Sequence, residues 1–112
     1  MIDLNKEANR AYRTALKRGL PLDHRSIVKH LQSEVKELMN APAMKNVHDI
    51  QRIANTRCDT EFMKEYNSKQ KDTVLGEYID VIVNALTGLS TFHIDIEYAL
   101  MNTQRANSLR VD

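Results

Sequence analysis

The sequence predicts an all-α fold, a four-helix bundle-like architecture with a long, partly helical connection between its second and third helices. Three observations carry this expectation. Apolar residues recur at three and four positions in four separate segments. No segment alternates with the period of a strand. Only three glycines and two prolines punctuate the 112 residues. A chain of this length supports one core and reads as a single domain over 1–112.

In the first helix Leu4, Ala8, Ala11, Tyr12, Ala15 and Leu16 form one apolar stripe, which Gly19 and Pro21 end. Asp23 is placed to cap the second helix. Its stripe is Ile27, Val28, Leu31, Val35 and Leu38, and Pro42 closes the segment. A third helix begins near Asp72 and carries Val74, Leu75, Tyr78, Val81, Ile82, Ala85, Leu86 and Leu89; Gly88 and the polar residues after it mark the turn. A fourth runs from about Ile94 to Leu109. Residues 42–72 are polar and weakly periodic. Val47, Ile50, Ile53 and Ala54 predict one short helix there, and Phe62, Met63 and Tyr66 another. So long a connection inside a compact fold is uncommon and often functional, here an insertion or a lid.

Composition excludes several classes. A net charge of +1 gives no electrostatic drive toward nucleic acid, and every helix mixes its charges, so a DNA-binding reading lacks its basic recognition helix. Cys58 is the single cysteine, which rules out an internal disulfide and fits a reducing compartment. The first residues, MIDLNKEANR, are charged without an apolar core, so no signal peptide is expected, and no apolar run approaches a membrane span. The expected setting is the cytoplasm.

The acidic residues hold the chemistry. Glu34 and Glu37 stand three apart in HLQSEVKELMNA, and Glu77 and Asp80 stand three apart in GEYIDVIVNAL. At about 100° per residue, Glu34 falls inside the core-facing arc of the second helix and Glu37 further round, with His30 between them. Glu77, Asp80 and Asn84 form a polar stripe along the edge of the third helix's wide apolar arc. If the two helices pack antiparallel, four carboxylates converge. Converging anions protonate or recruit a cation, and all-oxygen ligands suit a hard ion, Mg²⁺ or Mn²⁺. The bland alternative leaves Glu37 and Asp80 solvated and pairs the others with lysines such as Lys29 or Lys36. A di-iron site requires Glu-x-x-His on two helices, and none of the four histidines follows a glutamate at that spacing. The histidines are expected at the surface or at helix edges.

On the fourth helix Ile96, Ala99, Leu100, Thr103, Asn107 and Arg110 share a face. An amide and a guanidinium at the end of an apolar stripe suit an anionic ligand, although a C-terminal arginine alone would serve the helix dipole. The opposite face, Ile94, Tyr98, Met101 and Leu109, is apolar as well. With the wide arc of the third helix, which includes Ile79 and Val83, this predicts a homodimer or a dimer of dimers.

This order of elements resembles the MazG-like all-α nucleoside triphosphate pyrophosphohydrolases. The motifs read EVKE at 34–37, EYID at 77–80 and ANSLR at 106–110. The run from EYIDVIVNALTGLSTFHIDIEYAL to NTQRANSLR is similar to the branch near phosphoribosyl-ATP pyrophosphohydrolases and phage-type members. The resemblance covers most of the chain outside 42–72. It implies Mg²⁺-dependent cleavage between the α- and β-phosphates of a nucleotide, giving a monophosphate and pyrophosphate. It assigns Glu34, Glu37, Glu77 and Asp80 to the metal, with Glu34 or Glu37 as base for the attacking water. It assigns Asn107 and Arg110 to phosphate or sugar, and it implies a dimeric or tetrameric assembly. Asn84 extends the acidic stripe as a further substrate contact. Two departures stand out. Thr103 occupies a position where many members carry lysine, so Arg105 or a lysine elsewhere would supply that phosphate contact. The gap between the acidic pairs is longer than usual, and 42–72 would carry Lys45, Arg52, Arg57, Lys64, Lys69 or Lys71 toward substrate or form a dimer arm. The alternative function is a non-catalytic helical interaction protein that keeps the same architecture.

Overall fold

The computed structural model describes residues 2–110. Their order is α1 (Leu4–Lys17), α2 (His24–Asn40), α3 (Asp49–Ala54), α4 (Asp59–Glu65), a π-helical turn (Tyr66–Gln70), α5 (Val74–Ser90) and α6 (Ile96–Ser108). No strand occurs among the described residues, so the all-α expectation holds. The four long helices are α1, α2, α5 and α6, and both short helices expected within 42–72 form as α3 and α4. The chain divides into two compact units, residues 1–28 with 83–112, and residues 29–82.

In the terminal unit the helix ends follow local chemistry. Asp3 accepts the Lys6 amide at the start of α1. At its end Gly19, at φ +71°, lets the Gly19 amide donate to Leu16 O and the Leu20 amide to Ala15 O, both at 3.0 Å. This pairing satisfies carbonyls that a helix end otherwise strands. Asp23 caps α2 as the sequence suggests, accepting the Ser26 amide at 3.1 Å. Helix α6 begins at Ile96, two residues later than expected, because Asp95 is its cap and accepts the Glu97 and Tyr98 amides. Asn5 then ties α1 to this cap: its Nδ2 donates to Asp95 Oδ1 at 3.0 Å, and its Oδ1 accepts from the Ile96 amide at 2.7 Å. Ala8, Leu86 and Ile96 form the buried cluster beneath, with Leu4 and Ala11 packed against it.

The central unit, 29–82, contains the acidic pairs. Ile53 of α3 is its most buried large side chain, at 2% exposure. Arg52 bridges Asp49 and Glu65, both at 3.3 Å, and Lys69 reaches Glu65 at 2.9 Å, which joins α3, α4 and the π-helical turn. The Phe62 and Tyr66 rings stack with centroids 5.9 Å apart. The Lys71 amide donates to Tyr66 O at 2.9 Å and closes the wide turn. Asp72 follows at φ +63°, so the chain turns before α5, and Thr73 is the residue that caps it. The Thr73 hydroxyl donates to Gln70 O at 2.6 Å and accepts from the Gly76 amide at 3.1 Å. The Val74 amide donates to Pro42 O at 2.8 Å, which fastens the segment after α2 to the start of α5.

Candidate metal centre

The first turns of α5 bring Gly76 and Glu77 inward; Glu77 is only 2% exposed. Asp80, one turn on, is half-buried, and so is Asn84 after it. The face expected at the edge of an apolar arc is therefore an inward face. Tyr78, Ile79, Ile82 and Val83 are instead the residues left exposed. Gly76 makes this approach feasible: a Cβ at that position would overlap the Gln70 carbonyl oxygen. The π-helical turn thus lies directly against the first turn of α5, and only glycine fits between them.

Glu34 comes from α2 and is half-buried. One oxygen each from Glu34, Glu77 and Asp80 form a group whose members all lie within 4.8 Å of one another. The Oε2 atoms of Glu34 and Glu77 are buried and have no hydrogen-bond partner. Buried polar atoms are normally paired, because an unpaired one forfeits its hydration. Two orphaned carboxyl oxygens in one group of three acidic side chains are what a bound cation would satisfy. The donor set is all oxygen, which suits a hard divalent ion.

The electrostatics agree with this geometry. Burial, followed by the neighbouring Asp80 charge, pushes Glu77 up to about 7. Burial also raises Glu34, with the charges of Glu37 and Asp80 adding to it. Asp80 is raised by burial and by Glu37 and Asp72, while Lys71 and His30 act in the opposite sense. Tyr66 is raised by burial and then by the charges of Asp80, Asp72 and Glu77, so these carboxylates bear on the π-helical turn. The cluster is short of positive charge, and a divalent cation would supply it.

The remaining expected residues divide clearly. Glu37 is exposed and stands outside the group of three, although its charge acts on all three members. It lines an open cleft of about 430 Å³ together with Lys36, Asn40, Pro42, Asp72 and Glu77. Of the cations in 42–72, Arg52 and Lys69 are engaged in the ion pairs of α3, α4 and the π-helical turn. Lys71 is exposed, and its charge acts on Asp80. Arg105, Asn107 and Arg110 are exposed in and just beyond the last turns of α6, in the terminal unit.

Three residues at the site were not anticipated in this role. His30 Nε2 lies 3.2 Å from Glu34 Oε1, one turn before it on α2. Its position between Glu34 and Glu37 on the helical wheel was the available signal. Asp72 and Tyr66 lie in the weakly periodic connection, where no pattern marks them.

No helix among the described residues is long and apolar enough to cross a membrane. No family model, curated protein or solved structure matches this chain.

Proposed function

We propose that the protein is a Mg²⁺-dependent nucleotide pyrophosphohydrolase, cleaving a nucleoside triphosphate or related nucleotide to the monophosphate and pyrophosphate. One observation carries the reading: Glu34, Glu77 and Asp80 gather from two helices around orphaned, buried carboxylate oxygens. Those three residues hold the ion, with Mn²⁺ as a substitute. When bound, Mg²⁺ neutralises polyphosphate charge and makes a water molecule more acidic. Glu37, exposed beside the three, accepts the proton of the attacking water, or Glu34 does so from within the group. Lys36 at the cleft and Lys71, whose charge acts on Asp80, draw in phosphate oxygens. Lys71 is thus a candidate for the phosphate contact that Thr103 does not provide, in place of Arg105. Asn107 and Arg110 offer donors to phosphate or sugar, and Asn84 continues the polar face beyond Asp80.

The same reading includes a homodimer or homotetramer in the cytoplasm. Tyr78, Ile79, Ile82 and Val83 of α5 and Tyr98, Leu100 and Met101 of α6 are exposed, as is Leu109 just after α6. Apolar surface of this kind is usually covered by a partner.

Calorimetric titration with Mg²⁺ and Mn²⁺, beside a pyrophosphate-release assay, tests the reading. Glu34→Gln and Asp80→Asn each remove a ligand charge with little change in volume. Each is expected to abolish ion binding and turnover while the helical circular dichroism is kept. A wild-type protein that binds neither ion overturns the reading.

A further inference from the structure

His30 has no part in the mechanism above, and its contact with Glu34 is specific. His30 and Glu34 are one turn apart on α2, and Nε2 of the imidazole lies 3.2 Å from Oε1 of the carboxylate. The imidazole is partly open to solvent, with 44% of its side chain exposed, against 14% for Glu34. The two oxygens of Glu34 therefore have different surroundings. Oε1 faces the histidine at the outer side, whereas Oε2 is buried without a partner. A glutamate side chain has three rotatable bonds, and a carboxylate free to rotate loses entropy when an ion fixes it.

We infer that His30 is a positioning residue for the cation site: by holding Oε1 it fixes the Glu34 carboxylate so that Oε2 is presented to the ion shared with Glu77 and Asp80. This rests on the metal reading above. Imidazole suits the task better than lysine would. It offers a ring N–H on a short, stiff side chain, so it can orient a ligand carboxylate with little entropy to lose. Lysines do flank this part of α2, at Lys29 and Lys36, yet the residue in contact with Glu34 is the histidine.

The test compares wild type with His30→Gln and His30→Leu by calorimetric titration with Mn²⁺ and Mg²⁺ in the absence of nucleotide. Glutamine keeps an N–H donor at the end of a side chain of similar reach, and leucine keeps bulk but no donor. Loss of such an orienting partner weakens metal affinity by about 10- to 100-fold. His30→Leu is expected to bind about 10-fold or more weakly, His30→Gln to recover most of that loss, and the metal-free melting temperature to stay the same for all three. A merely structural role would instead shift the melting temperature and leave the ratio of affinities unchanged. Equal affinity in wild type and His30→Leu overturns the inference while leaving the metal reading intact. Absence of binding by wild type overturns both.

Discussion

Glu34 and Glu77, forty-three residues apart in sequence and on different helices, bring carboxyl oxygens within 4.8 Å of each other, and each leaves its Oε2 buried and unpartnered. Two carboxyls so placed share a proton or a cation. The stability of the metal-free protein should therefore depend on pH in a way that surface carboxylates do not produce. Glu77 titrates at about 7 in the folded chain against an ordinary value of 4.5. Between these values the folded chain holds a proton that the unfolded chain has released. Its stabilising contribution is full below 4.5 and is lost as pH rises through about 7. Glu34 and Asp80, raised for the same cause, act in the same sense. Asp23, Glu65 and Asp95 are lowered, so their contributions change only below the ordinary carboxylate range. Thermal melts in chelator should show a lower melting temperature at pH 8 than at pH 5.5, and Mg²⁺ at pH 8 should recover the difference. A melting temperature that rises from pH 5.5 to 8 in chelator would contradict this.

Replacing Glu77 by Gln should stabilise the metal-free protein at pH 8 and abolish its response to Mg²⁺. The amide fills the same space without the buried charge, a relief on the order of 1 kcal/mol or more. In a domain near this size that corresponds to a rise of roughly 4 °C. A functional residue that costs stability is the signature expected of a ligand site. Destabilisation by this change at pH 8 would argue for a purely structural carboxyl.

Much of the fold was legible in the sequence, and particular residues show where legibility ended. The stripe from Leu4 to Leu16 and the cap at Asp23 are local patterns, and α1 and α2 follow them. The two acidic pairs were equally visible, since spacing of three residues puts both members on adjoining parts of a helix surface. The inward turn of Glu77 was not visible. The apolar arc of α5 covers most of its circumference, so periodicity cannot say which side faces the core. In the central unit burial went to Glu77 while Tyr78, Ile79 and Ile82 remained outside, and further along the same helix it went to the apolar Leu86. Tyr66 and Asp72 were hidden for a different reason. A π-helical turn and a left-handed aspartate have no repeating signature, and their placement depends on Gly76 admitting the Gln70 carbonyl.

Gly76→Ala should therefore be costly although alanine is the better helix former. Its Cβ would meet backbone at Gln70, which cannot swing aside as a side chain can. Forcing the two apart costs about 1–3 kcal/mol. Gly88→Ala is the internal control. Its Cβ would meet only Ile27 Cγ2 at 3.4 Å, and the gain in helix propensity of about 0.8–1 kcal/mol should make it neutral or stabilising. Urea midpoints of the two variants measure the contrast. Equal midpoints would remove the π-helical turn from its place against α5.

Met101→Glu addresses assembly. Met101 is 62% exposed on α6 beside Tyr98, which is 65% exposed, and a charge there should cost a subunit interface several kcal/mol while leaving an isolated chain unchanged. Light scattering should report a dimer or tetramer for wild type and a shift toward monomer for the variant, with activity falling in parallel. A wild-type monomer of about 13 kDa at micromolar concentration would exclude the interface.

Product analysis tests the central claim most directly. Wild-type protein is incubated with a panel of canonical and modified nucleoside triphosphates, with Mg²⁺ and separately with chelator, and the phosphorus-containing products are resolved by ³¹P NMR. The account predicts that at least one substrate yields its monophosphate and pyrophosphate only when Mg²⁺ is present, and that Glu34→Gln and Asp80→Asn abolish the reaction. Release of orthophosphate and a diphosphate, or no turnover of any triphosphate in the panel, would contradict it.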